Sequence, residues 1–262
     1  MNERTVKIES RFQDEYTKRL VASLIRWDGE IREMQTGFFD KLTGKFQQKV
    51  DGLIPESVHQ AITVALETVV KGFLAGISLL PASSEPRPAT LAQRDDEAKR
   101  IVDRYKKIAA IEGAGTGMGG AILAAVDFPA LITIKLKMLQ EMAWLYGYDA
   151  RIPQERNYLV HVFLLAFAAG DVQREIYETI RRWDRLPATA CSPESSHFDW
   201  RRFYKEYRDG IDTRKLLSFL PIVGAPVNAW ANYSLAGDLG DMAQKAFQLR
   251  FLQPMVKELR GD

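Results

Sequence analysis

Gly113-Ala-Gly115-Thr-Gly117-Met-Gly119-Gly120 places five glycines in eight residues, and 115 to 120 match G-x-G-x-x-G. That spacing lets a backbone turn tightly beneath a pyrophosphate, and Glu141 stands about 20 residues on, where a dinucleotide fold puts an acid on the ribose. Asp127, Lys135 and Asp238 add two carboxylates and an amine in or beside apolar runs, where an ionised side chain needs a partner. Cys191 and His197 share one segment, but a nucleophilic pair needs a third group to orient the imidazole, and nothing nearby supplies it. His59, His161 and His197 form no H-E-x-x-H and no pair at zinc spacing, so neither a metal nor another cofactor is expected.

The elements around the glycines decide what they can do. A phosphate cradle must follow a buried strand and open a helix, because the helix N-terminus meets the phosphates. Here the preceding residues, Arg104 to Glu112, are poor in β-branched side chains and read as helix, and no strand-helix-strand alternation follows. No G-x-x-x-x-G-K-[ST] occurs either, so nucleotide binding is not expected. The alternative lies in the spacing. Gly113, Gly117, Ala121 and Ala125 recur every four residues, a row of small side chains along one helix face that admits another backbone closely, in a protein core or in lipid.

Helical periodicity dominates the chain and no run of alternating segments suggests a sheet, so the fold class is all-α. The expected architecture is a compact multi-helix bundle with two apolar helical hairpins containing Gly and Pro. Residues 1–80 form an N-terminal helical region, 81–90 a Pro-rich linker and 91–262 the core, with 27–80 integrated into the same domain. Asp127-Phe-Pro129 reads as a helix start, Asp127 capping free amides and Pro129 in the first turn, where no donor is lost. From Pro129 to Tyr146 apolar residues cover more than half the wheel, with Lys135 inside the apolar arc, where it must snorkel or find an acid. Pro221-Ile-Val-Gly-Ala-Pro226 opens the second hairpin, followed by a helix from Val227 to Leu252 with a stripe of Val227, Ala231, Leu235, Met242 and Leu249. Asp238 projects from that stripe, to pair with a base such as Lys135 or to be solvated.

Leu216 to Gly237 is uncharged and long enough to span a bilayer, but Pro221, Gly224 and Pro226 break its hydrogen-bond ladder and Asn228 and Asn232 need partners. A net charge of +2 requires no polyanionic partner, so no nucleic acid is expected. One cysteine forbids an intrachain disulfide, and the N-terminus carries no secretory h-region, which together suggest the cytoplasm. Trp200-Arg201-Arg202 begins a stretch of interleaved aromatics and bases suited to headgroups or phosphates, or to a solvated face.

Taken together, Leu53-Ile-Pro55, Asp127-Phe-Pro129 leading to Gln140-Glu-Met-Ala-Trp-Leu-Tyr-Gly147-Tyr-Asp149, and Pro221-Ile-Val-Gly-Ala with Asn228, Gly237 and Asp238 resemble the EcsC family. The family is named for a bacterial protein encoded beside an ABC transporter and has no established catalytic residues. The resemblance implies an all-helical, membrane-proximal accessory protein, with Asp127, Glu141, Gly147, Asn228 and Asp238 as pattern positions. Two functional readings follow. The first is a non-enzymatic accessory or scaffold at the inner face of the membrane, linked to an ABC transporter or secretion system. It would touch lipid or a membrane protein through Gly113, Gly117, Ala121, Trp200, Arg201 and Arg202. The alternative is an enzyme or small-ligand protein with a polar pocket between the hairpins, formed by Asp127, Lys135, Glu141, Asn228 and Asp238.

Overall fold

Capping signals in the sequence set where the helices begin and end. Asp14 accepts hydrogen bonds from the Thr17 amide (2.6 Å) and hydroxyl (3.0 Å), which starts helix α1 at Glu15–Glu33. Thr90 and Gln93 exchange amide-to-side-chain bonds of 3.2 and 3.3 Å, a capping box that opens α3. In full, the elements are α1, α2 (Glu56–Leu74), α3 (Leu91–Thr116), α4 (Gly120–Tyr146), α5 (Pro153–Phe167), α6 (Gly170–Arg181), a 3-10 turn Trp183–Arg185, and α7 (Gly224–Arg260). This computed structural model describes residues 14–33, 56–76, 86–116, 120–168, 170–187 and 224–260. All regular structure among the described residues is helical, as the periodicity predicts.

Two expectations are corrected. Asp127-Phe-Pro129 does not start a helix, because α4 runs unbroken from Gly120 and carries Pro129 inside it. An interior proline costs about 3 kcal/mol in an isolated helix. Here burial of Leu131, Ile132, Leu136, Met138, Leu139 and Met142 just downstream opposes that cost. Asp127 is therefore an interior helical residue, not a cap, and its side chain lies outside the described set. The small-residue row is also divided, since Gly113 belongs to α3 while Ala121 and Ala125 belong to α4. Glycines weaken a helix by about 1 kcal/mol each relative to alanine.

Close packing joins α3 to α7, at Gly113 of the one and Gly240 of the other. Helices α3 and α7 run antiparallel, shown by contacts from Asp95 to Gln244, Val102 to Gly240, Lys106 to Gly237 and Gly113 to Asn228 and Asn232. A Cβ at Gly240 would fall 2.5 Å from both Val102 methyls, so the missing side chain sets how near the two helices lie. Ala231, Ala236, Ala243 and Ala246 are buried on the same helix. Helix α4 packs antiparallel to α3 and ends in a Schellman turn: Tyr148 N bonds Ala143 O at 2.9 Å, Gly147 N bonds Trp144 O at 3.1 Å, and Gly147 has φ +99°.

One core joins the segments on either side of 81–90, with Leu24, Trp27, Leu66 and Phe73 beside Leu139, Phe163 and Phe247. Residues 86–90 are strapped to it. The Arg87 Nε donates to the Trp144 carbonyl at 2.7 Å while its guanidinium covers the Trp144 ring, and Arg94 Nε bonds Pro88 O. Helix α1 docks through Trp27, edge-on to Tyr177, and through Asp28, which accepts from the Tyr177 hydroxyl at 2.7 Å.

Candidate functional site

The polar groups of greatest chemical potential gather at the end of the α3–α7 pair where α4 terminates. Asp95 is fully buried and accepts hydroxyl bonds from Tyr146 (2.5 Å) and Tyr16 (2.6 Å), while its carbonyl receives Gln244. Burial, reinforced by the Asp95 charge, holds both phenols above their ordinary range. Less than two turns further along α7, Arg250 grips Glu155 with paired bonds of 2.6 and 2.8 Å and Asp184 through Nε (2.9 Å) and Nη2 (2.5 Å). Its guanidinium lies 4.0 Å from the Tyr148 ring centre and 4.5 Å from that of Tyr158. Burial alone would disfavour the charge, but hydrogen bonds to Glu155 and Asp184 raise the Arg250 pKa.

This cluster joins α5, the 3-10 turn and α7. Four of the five guanidinium N–H groups are spent on carboxylates, which leaves little capacity for a ligand. Nearby, buried Arg156 donates to the carbonyls of Leu74 (3.0 Å), Arg151 (2.8 Å) and Ala150 (3.3 Å), closing the C-terminal end of α2 against the turn before α5.

The opposite end is built differently. At Gly113 a Cβ would lie 2.9 Å from the Asn228 carbonyl and nearly atop the Asn232 amide, so protein lines this glycine tightly. Outside that contact the surface changes character. Along α3 the exposed residues are Gln93, Asp96, Lys99, Arg100, Asp103, Arg104 and Lys107, and then Ile108 and Ile111. Along α7 they are Pro226, Trp230 and Tyr233, followed by Asp238, Asp241 and Lys245. Because the helices are antiparallel, both faces switch from charged to apolar at the same level. Ile111 is 74% exposed and Trp230 50%; Val64 on α2 and Ile152 before α5 are exposed to a similar degree, but each stands without an exposed large apolar neighbour on its own element among the described residues. Lys106 marks the boundary, its Nζ 4.4 Å from the Tyr233 ring centre and 3.6 Å from Asp103.

The residues singled out from the sequence meet different neighbours. Glu141 accepts from Arg104 at 2.5 Å and from Tyr105, whose hydroxyl burial and the Glu141 charge push up to about 12. Lys135 is 2% exposed, with its ammonium 5.2 Å from the Phe167 ring centre. Asn228 is buried beside Gly113, and its Oδ1 has no hydrogen-bond partner among the described residues. Asp238 is exposed, because Leu235 and Leu239 hold the buried register of α7. Gly117, Trp200, Arg201 and Arg202 lie outside the described residues, as do the side chain of Asp127 and the surroundings of Ala121. His161 is half-buried, its Nδ1 meets the Asn157 carbonyl at 2.8 Å, and desolvation lowers its pKa. Among the described residues no helix is long and apolar enough to cross a membrane.

The arrangement defines a class: an all-helical bundle whose polar clusters are internal and in which four exposed apolar side chains, Ile108, Ile111, Trp230 and Tyr233, share one end of a helix pair. The chain matches the EcsC protein family model over residues 18–252 and belongs to that family. It is 37% identical over 224 residues to Protein EcsC of Bacillus subtilis (strain 168), covering 86% of this chain and 90% of that one. It is also 27% identical over 244 residues to Uncharacterized protein YdbA of the same organism, covering 90% and 89%. No solved structure matches the chain.

The Arg250 and Asp95 clusters escape local motif reading because their members are far apart in sequence. A signal does exist. Asp95 shares the helical register of the buried Ala98, Val102, Tyr105 and Ala109, and Arg250 sits between the buried Leu249 and Leu252. A charge at a core position announces a buried partner.

Proposed function

We propose that the chain is a non-enzymatic accessory or scaffold protein that associates peripherally with the inner face of a membrane. The observation that carries this reading is the matched switch, on α3 and α7, from charged exposed residues to Ile108, Ile111, Trp230 and Tyr233. Apolar side chains exposed together mark a contact surface, and tryptophan and tyrosine favour the bilayer interface, where one end of the ring is wet and the other apolar. The Gly113–Gly120 and Pro221–Pro226 segments lie next to this end in sequence, and both are apolar and small-residue rich.

The Arg250 cluster supports a scaffold over an enzyme, since its cation is saturated by carboxylates and held to link three elements. The family resemblance adds the link to an ABC transporter or secretion system. Flotation of the purified full chain with phospholipid vesicles tests the proposal. Protein rising with the vesicles is the expected result, and protein remaining in the dense fraction with both neutral and anionic vesicles would refute it.

A further inference from the structure

We infer that the chain docks end-on against an anionic phospholipid surface, with Ile108, Ile111, Trp230 and Tyr233 in the interfacial layer and Lys106 and Lys107 at the headgroup phosphates. This inference rests on the membrane reading above and specifies its geometry and lipid chemistry.

The argument for orientation comes from what a flat pose would bury. The outward face of α3 from Asp96 to Lys107 is charged throughout, and the corresponding face of α7 carries Asp238, Asp241 and Lys245. Laying those helices along a bilayer would press both signs of charge into the interface, including carboxylates repelled by anionic lipid. Standing the pair upright presents only the end beyond Lys107 and Tyr233. Glu112, within that end, is half-buried.

The headgroup assignment comes from the lysines. Lys107 is exposed and pairs with no carboxylate among the described residues. Lys106 lies over the Tyr233 ring, an aliphatic stem on apolar surface with its ammonium at the rim. Two ammonium groups level with a tryptophan and a tyrosine reproduce the composition favoured at headgroup depth. Asp95 precedes Gly113 by 18 residues in one helix, which at 1.5 Å per residue sets the Tyr16–Asp95–Tyr146 hub about 27 Å from the docking end. That leaves the charged end free of the bilayer.

The test uses the full chain with Cys191→Ser and one new cysteine, at Ile111→Cys or at Ile152→Cys, an exposed apolar position at the charged end. Each is labelled with an environment-sensitive fluorophore and mixed with vesicles of phosphatidylcholine alone or in equal mixture with phosphatidylglycerol. The expected result is a blue shift and quenching by brominated lipid at position 111, with no change at 152, on the mixed vesicles. Lys107→Glu should weaken partitioning to them about fivefold, from the contribution of one basic residue near an anionic surface. A shift at 152 equal to that at 111, or binding with no change at either site, overturns the end-on pose while leaving membrane association intact. Equal binding to neutral vesicles, unaffected by Lys107→Glu, overturns the anionic assignment. Absence of any binding by the unsubstituted chain overturns this inference together with the membrane reading.

Discussion

The two ends of the α3–α7 pair handle polarity in opposite ways. Near Asp95 and Arg250, charges and hydroxyls are buried and answered by one another; near Gly113, the backbones close tightly and apolar side chains face outward. The first pattern spends its polar groups on internal order, and buried ionic groups of this kind tolerate the loss of a partner poorly. The second leaves its apolar groups uncommitted to the core. Under the proposed function, stability and contact are therefore separated along one helix pair, and substitutions at the two ends should fail differently.

The largest effect is expected at Arg250. Arg250→Ala would leave Glu155 and Asp184 facing each other without a cation, a loss of about 3 kcal/mol, the lower end of the range for a broken buried pair. Asp184 retains half its exposure to water, which justifies the lower figure. Urea unfolding monitored by circular dichroism measures it, and a change under about 1 kcal/mol would mean that the cluster is a weak surface pair. Next comes Gly240→Ala, which places a methyl against both Val102 methyls and should cost about 1–3 kcal/mol through overpacking. Pairing it with Val102→Ala should restore part of that loss, because the clash is mutual.

Smaller is the effect of Gly147→Ala, where nothing lies within 4 Å of the new methyl and only the positive φ resists it. A cost of about 1–2 kcal/mol is expected from that conformation. Comparing the two alanine variants separates a steric glycine from a conformational one.

The pH dependence should also report the buried end. Tyr146, Tyr148 and Tyr158 have phenols raised above 10.0 chiefly by burial. Above pH 10 the unfolded chain loses protons that the folded chain keeps, so stability falls as pH rises, by about 1.4 kcal/mol per pH unit for each phenol at most. His161 acts on the acid side. Its folded pKa lies below 6.5, so as pH falls through that value the unfolded chain takes up a proton first and stability declines. His161→Gln should flatten the acid limb alone in a series of urea melts.

Much of the architecture was legible from periodicity. The apolar wheel of Pro129 to Tyr146 predicted a helix enclosed on several sides, and Leu131, Leu136, Leu139 and Met142 are buried as that pattern requires. Gly147 in the Gln140–Asp149 pattern acquires a physical reason, since its positive φ closes the Schellman turn that delivers Tyr148 to Arg250. Less legible were features decided by partners distant in sequence. Pro129 read as a helix start because local rules put proline in a first turn, yet tertiary burial carries the helix through it. The glycine cluster drew attention to α3, and its first residue, Gly113, does meet the Asn228 backbone and Asn232 closely, but the second tight approach, Gly240 of α7 against Val102, stands in no glycine cluster. Glu141 stood out as a polar residue downstream of the glycine cluster, and Arg104 and Tyr105, adjacent residues of α3 that belong to no motif, meet its carboxylate across the α3–α4 contact.

The division between the two ends is tested most directly by measuring vesicle flotation and melting temperature on the same preparations of Ile111→Glu/Trp230→Glu and of Arg250→Ala. The double variant changes only exposed positions, so it should melt within a few degrees of the parent while losing flotation with anionic vesicles. Arg250→Ala should lose thermal stability and, below its melting temperature, still float. A double variant that floats like the parent, or that unfolds where Arg250→Ala does not, would contradict the separation.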